Sequence, residues 1–135
     1  MKQLYVLRHA DKSWTGGISK NGKQACEALK KRLPAFTIVI CSQKKRTEET
    51  AFILGTRQPD IDNRANIEHN TGTELVNLIT ETIQNMRDGD VGLIVSHVPC
   101  MQAAHGILVP NSPAPDYKEL QGFIVNQNLQ LKEFR

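Results

Sequence analysis

Three short stretches of this 135-residue chain end in side chains suited to gripping and moving an anion: Arg8-His9, Ser42 with Arg46 close behind, and Ser96-His97. Arg8 and Arg46 each carry a planar fork of N–H donors that matches an oxyanion bidentately. An imidazole can act as base, nucleophile or metal ligand near neutral pH, which leaves all three roles open to His9 and His97. Ser42 can lend a hydroxyl to such a site or cap a helix. His97 stands just before Val98-Pro99, where a helix can begin, and the free N–H groups of a helix start receive anions. Each stretch alone also has a plain structural reading. Arg8-His9 can be a solvated strand end, Arg46 sits beside Lys44 and Lys45 as on a wet helix face, and a histidine after a strand can simply pack.

What brings these residues together must be a fold that gathers strand ends. Leu4–Leu7, Phe36–Cys41 and Val91–Ser96 are short apolar runs that read as buried strands. Between them, Ala25, Leu29 and Leu33 follow helical spacing after a capping Ser19, with Pro34 as the stop. Ser42 is expected to cap a second helix through Leu54, with Gly55 ending it. Thr71 and Glu74 have capping-box spacing ahead of a stripe of Leu75, Leu78, Ile79, Ile83 and Met86. A weak strand around Ala65–Ile67, a helix from Pro99 to about Leu108, a rigid loop over Pro110–Pro115 and a hairpin of 122–125 with 129–134 complete the pattern. Strands alternating with helices predict an α/β three-layer sandwich: a mainly parallel sheet, helices on both faces, and the C-terminal hairpin at one edge. In a parallel sheet the three polar strand ends share one side, where open α/β sheets place ligands.

Composition narrows the function. The length suits one domain, residues 1–135, with a core of its own. A net charge of +3 with only 5% aromatic residues, and no basic block interleaved with aromatics, points away from nucleic acid. No apolar run is long enough for a signal peptide or a membrane span. Three widely spaced cysteines, Cys26, Cys41 and Cys100, form neither a disulfide framework nor a zinc pattern, so a reducing cytoplasm is the expected location.

The motifs resemble those of the histidine phosphatase superfamily, which includes the phosphoglycerate mutases, and most closely its short phosphohistidine-phosphatase (SixA-type) branch. Leu7-Arg8-His9-Ala10 with the trailing Lys12-Ser13-Trp14 is similar to the family's opening motif, with Ala10 where many larger members have Gly. The segment from Cys41 to Ala51 resembles its Ser-Pro-x-x-Arg-x-x-x-Thr-Ala element, with Gln43 in place of Pro and Arg46 at the second arginine. Val95-Ser96-His97-Val98-Pro99 resembles the second histidine motif. Together the three motifs span nearly the whole chain in the family's order.

The resemblance implies a phosphatase in which neutral His9 attacks phosphorus, Arg8 and Arg46 clamp the phosphoryl oxygens, Ser42 assists, and His97, if protonated, donates to a further oxygen. Water then releases the phosphohistidine, with no metal and no cofactor. A leaving-group acid is expected between the second and third motifs, where Glu68 is preferred over Glu74, with Asp11 and Glu48 as further candidates. His69 and His105 carry no ligand spacing. The chain has no inserted subdomain to enclose a small metabolite, which favours a phosphorylated protein, in particular a phosphohistidine protein, as partner. A small phosphomonoester, a mutase-like reaction, or a catalytically weak phospho-ligand-binding module are the alternatives.

Overall fold

The strand that orders the molecule is the apolar run Val91–Ser96, here β4, which pairs in parallel with β1 (Gln3–Arg8) on one side and β2 (Ile38–Cys41) on the other. In the computed structural model, which describes residues 1–135, a two-residue β3 (Asp60–Ile61) adds in parallel to β2, while β5 (Gly122–Asn126) and β6 (Leu131–Phe134) add antiparallel beyond β1. The result is a six-stranded mixed sheet in the order β3-β2-β4-β1-β5-β6. Strands covered on both faces need no polar alternation. The inner four residues of β1 and the last five of β4 are accordingly all buried.

Side chains of successive strand residues point to opposite faces, and that alternation splits the core in two. Leu4, Val6, Ile94, Phe123 and Val125 meet Leu75, Leu78 and Ile79 of α3 (Thr73–Asn85) and Met101 and Ala104 of α4 (Val98–Leu108). Tyr5, Leu7, Leu93, Val95 and Ile124 meet Cys26 and Leu29 of α1 (Lys20–Lys30) and Ala51 and Leu54 of α2 (Lys45–Gly55) on the other face. This is the expected α/β three-layer sandwich with its C-terminal hairpin. All three cysteines are buried and free.

Several local expectations are corrected. Ser19 does cap α1, accepting from Gly22 N at 3.0 Å. Ser42 does not cap α2: the N-cap is Lys44, with no side-chain bond, because the Ser42 hydroxyl is held elsewhere. The left-handed residue after α2 is Thr56 (φ 55°), while Gly55 stays helical and serves close packing, since a Cβ there would lie 2.6 Å from a Val39 methyl. Thr71 forms no capping box with Glu74, since Gly72 (φ 85°) is the N-cap and turns the chain tightly against the Ala103 backbone. In place of a strand at 65–67, Asp62 caps a short 3-10 turn (Asn63–Ala65) and chelates Arg64 through both carboxylate oxygens. Leu129 (φ 60°) belongs to the hairpin turn rather than to β6.

β5 reaches β1 only because residue 122 lacks a side chain: a Cβ there would sit 1.8 Å from the Val6 carbonyl oxygen. Gly122→Ala must therefore push β5 off β1, and a loss of about 1–3 kcal/mol in urea unfolding, the range for overpacked sites, is expected. Unchanged stability would show that this edge can yield.

Candidate active site

His9 follows the last residue of β1 and is 7% exposed. Its Nδ1 lies 2.7 Å from the Ala10 carbonyl oxygen, and a carbonyl only accepts, so Nδ1 carries the proton. The Nε2 lone pair is thereby left facing Arg46, whose Nε–H donates to it at 3.3 Å. The backbone after His9 is pinned from α2: Ala10 N donates to Thr50 Oγ1 at 3.0 Å, and that hydroxyl donates to the Arg46 carbonyl at 2.8 Å. Burial holds the His9 pKa below the ordinary imidazole value; Arg46 and Arg8 push the same way, against the Ala10 bond and Glu119. His9 is thus neutral at pH 7 with its lone pair on the cleft side of the fixed tautomer.

His97 is the N-cap of α4 and 1% exposed. Its ring stands edge-on to His9, centroids 5.3 Å apart. Nε2 lies 2.9 Å from Ser42 Oγ, Ser42 Oγ lies 2.7 Å from Thr47 Oγ1, and Thr47 Oγ1 lies 2.8 Å from the Lys44 carbonyl. Three contacts need three protons. Only one assignment supplies them: His97 Nε2–H donates to Ser42, Ser42 to Thr47, and Thr47 to the carbonyl. Any other leaves lone pairs facing each other at 2.9 Å or less. In the neutral ring Nδ1 is then an unprotonated, buried nitrogen without a partner. Burial, followed by His9, Arg46, Lys44 and Arg8, pushes the His97 pKa down to about 3. With no carboxylate in contact and cations around it, the buried ring favours its neutral form.

Arg8, at the end of β1, is held from the C-terminal side of the chain. Its Nη1 donates to the Tyr117 carbonyl at 3.0 Å and meets Glu119 Oε2 at 3.4 Å. Backbone bonds Leu120 N to Arg8 O (3.1 Å) and Arg8 N to Gln121 O (2.9 Å) clasp the same residue. Leu120 adopts φ 64°, a left-handed conformation that side chains other than glycine disfavour, and this places Glu119 against Arg8.

Arg8, His9, Arg46 and His97 line one cleft of about 260 Å³. Asp11, Lys12 and Glu119 complete its polar wall, and Ile67, Val98 and Pro99 its apolar one. Ser42 is fully buried behind His97 and does not line it. Neither expected acid does so either. Glu68 has a side chain 64% exposed, with only His69 near it at 3.9 Å, and Glu74 lies in the first turn of α3. Glu48 lines a separate groove between α1 and α2. Asp11 is at the cleft, one carboxylate oxygen accepting from Ser19 Oγ at 2.7 Å. Glu119 is the carboxylate that the motif search missed: it follows a proline-rich loop and reaches the cleft through the pairing of β5 with β1. No cluster of three or more His, Cys, Asp or Glu side chains in the fold could hold a metal ion, and no helix is long and apolar enough to cross a membrane.

Stability should report the neutral His97. With a folded pKa near 3 against an ordinary 6.5, the unfolded chain binds the extra proton, so stability falls as pH drops below 6.5. Between pH 7 and pH 5 this one ring accounts for a loss on the order of 2 kcal/mol. Urea unfolding at both pH values should show a loss smaller by about that amount in His97→Asn than in wild type. Equal losses would mean that His97 is charged in the folded protein.

No protein-family model matches the sequence, and no curated protein matches it significantly. Solved structures match in fold. The protein histidine phosphatase SixA, complexed with tungstate, superposes with a TM-score of 0.74 at 15% identity, covering 98% of this chain and 94% of that one. Phosphoserine phosphatase from Entamoeba histolytica, in complex with 3-phosphoglyceric acid, gives 0.79 at 12% identity over 98% and 95% of the two chains. Phosphoglycerate mutase from Plasmodium falciparum gives 0.65 at 17% identity over 99% and 89%. The chain therefore has the α/β/α fold shared by these phosphatases and mutases, the fold of the superfamily that its three motifs resemble.

Proposed function

We propose that this protein is a phosphatase of the histidine phosphatase superfamily that passes a phosphoryl group through His9, taken from a phosphohistidine on another protein. The observation that carries the reading is the His9 tautomer: Nδ1–H is committed to the Ala10 carbonyl, and the unprotonated Nε2, accepting only from Arg46, lies in a cleft that both arginines line. Phosphoryl transfer asks for an in-line nucleophile and charge stabilisation on the equatorial oxygens. Arg46 Nε turns from His9 to the incoming oxyanion, and Arg8, braced through Nη1, offers its remaining N–H donors. The substrate P–N bond breaks as the His9 Nε2–P bond forms. Water then attacks that phosphorus, the Nε2–P bond breaks, and inorganic phosphate leaves. The neutral His97 contributes no charge; its ring lines the cleft beside His9, with Nδ1 buried. Two guanidinium groups supply the positive charge, so no step in this scheme calls on a metal.

Cleft size favours a substrate that inserts only its phosphoryl tip. At about 260 Å³ the cleft falls below the roughly 300–1,000 Å³ of pockets that enclose a small organic ligand. The likeness to SixA, a protein histidine phosphatase, supports the same substrate class. The likeness to phosphoserine phosphatase supports the second reading, a small phosphomonoester. That reading needs a proton for an alkoxide leaving group. Among the cleft carboxylates we assign this role to Glu119 in place of Glu68, with Arg8 turning from it to the phosphoryl oxygens so that the carboxyl can hold the proton it gives. An imidazole that departs already protonated makes less demand on it.

The reading is tested by phosphate release from a phosphohistidine-bearing protein without added metal. His9→Ala should remove activity by at least about 10³-fold and Arg46→Ala by about 10²–10³-fold. With His9 required neutral and its pKa depressed, the acid limb of kcat/KM should fall below pH 6.5. No release by wild type from this protein or from an aryl phosphate would leave only a phospho-ligand-binding module. Glu119→Gln should lower turnover of an alkyl phosphomonoester by about 10²-fold while leaving phosphohistidine within a few-fold. Equal losses on both substrates would remove Glu119 as the acid.

A further inference from the structure

The loop after Asp11 and Lys12, which line the cleft, is a tight hairpin that carries the only tryptophan of the chain. Lys12 bridges to Ile18, Ser13 N donates to the Gly17 carbonyl at 2.7 Å, and Gly16 N closes the turn on the Ser13 carbonyl at 3.2 Å. The hairpin is seated on α2: Ile18 N donates to Glu49 Oε1 at 2.8 Å, and the bare Cα of Gly17 lets that carboxylate in. At the tip of this braced turn Trp14 is 97% exposed, so the fold holds a large aromatic in water without folding it back. Only Ser13 separates it from Lys12, so their Cα atoms are at most about 7 Å apart. Phe52, one turn beyond Glu49 on the same face of α2, is 52% exposed and borders the groove between α1 and α2 that Glu49 also lines.

We propose that Trp14 and Phe52 form a docking surface for the folded protein whose phosphoryl group enters the cleft, an inference that rests on the phosphatase reading above. Neither residue lines the cleft, so a small phosphoester seated at His9 touches neither. A substrate that reaches both His9 and Trp14 must extend beyond the cleft on the Lys12 side. Lone surface apolar residues are common. What sets Trp14 apart is its braced mount two positions from Lys12 at the cleft, and the Glu49 that braces it lines the groove that Phe52 borders. Tryptophan is among the side chains that most often anchor protein interfaces. The occupant is therefore a phosphoprotein with an apolar patch beside its phosphorylated side chain, and these contacts set KM for protein substrates without entering the chemistry.

The test compares a folded carrier protein, phosphorylated on histidine with phosphoramidate, with free phosphohistidine. Wild type should prefer the protein-borne group at least tenfold in kcat/KM. Trp14→Ser should lower kcat/KM on the carrier at least fivefold, mainly through KM, and leave free phosphohistidine within twofold. Phe52→Ser should act in the same direction. In the non-turning-over His9→Ala protein, the phosphorylated carrier should shift the emission of Trp14. A Trp14→Ser protein that matches wild type on the carrier, or that loses both substrates equally, would overturn the proposal. So would a self-associating wild type that Trp14→Ser renders monomeric, since the surface would then belong to a second copy. Hydrolysis of neither substrate by wild type would instead fail the phosphatase reading and take the docking surface with it.

Discussion

In the parallel ladder Arg8 lies across from Ser96, and Cys41 across from Val95. This register brings the ends of three strands level, and the backbone continues it one step further: His9 N donates to the Ser96 carbonyl at 3.2 Å and Ser42 N approaches the Val95 carbonyl at 3.4 Å. A slip of one residue would send every side chain of a strand to the opposite face. Leu4 and Val6 would exchange layers with Tyr5 and Leu7, and two well-filled cores would be lost together. The hydrophobic pattern that holds the register is thus also what levels the site. Arg8-His9, Ser42 and Ser96-His97 arrive at one edge because apolar residues behind them admit no other alignment.

Levelled strand ends put cations and imidazoles side by side, with consequences for charge. Burial penalises a charged ring, and Arg8 and Arg46 add to the penalty. Both histidines respond by staying neutral, and each has its proton assigned by an oxygen acceptor: His9 by the Ala10 carbonyl, His97 by the chain through Ser42 and Thr47 to the Lys44 carbonyl. The two rings end up in opposite tautomers. His9 presents Nε2 and His97 retains a free Nδ1. Neither assignment comes from the histidine itself; both come from backbone carbonyls whose positions the strand ends and the start of α2 determine.

Strands, helices and the grouping of Arg8, His9, Arg46 and His97 were legible in the sequence because they rest on local signals: apolar runs, helical spacing, and polar residues at run ends. What was not legible depended on partners far along the chain. Ser42 looks like a helix cap until His97 is beside it, and an internal hydroxyl then outcompetes the cap. Thr71 and Glu74 have the right spacing for a capping box, yet Gly72 turns the chain before it can form. Glu68 follows residues that read as a strand, but Asp62 and Arg64 draw that segment into a 3-10 turn and the strand forms earlier, at Asp60–Ile61. Glu119 had no local signal at all. Its place follows from Gly122 admitting β5 against Val6 and from the left-handed Leu120.

The position of β1 in the sheet has a further consequence for how the molecule comes into being. β1 is the first strand in the chain, but its two neighbours are β4 and β5, made much later. During synthesis from the N-terminus Arg8 and His9 emerge early and then wait, because the sheet has no slot for them until Val91–Ser96 exists, and Arg8 lacks its brace until Tyr117–Gln121 follows. Long-range pairing of this kind is slow to form. A nascent chain therefore carries Arg8 and His9 well before it can shape the cleft, which waits for β4 and β5.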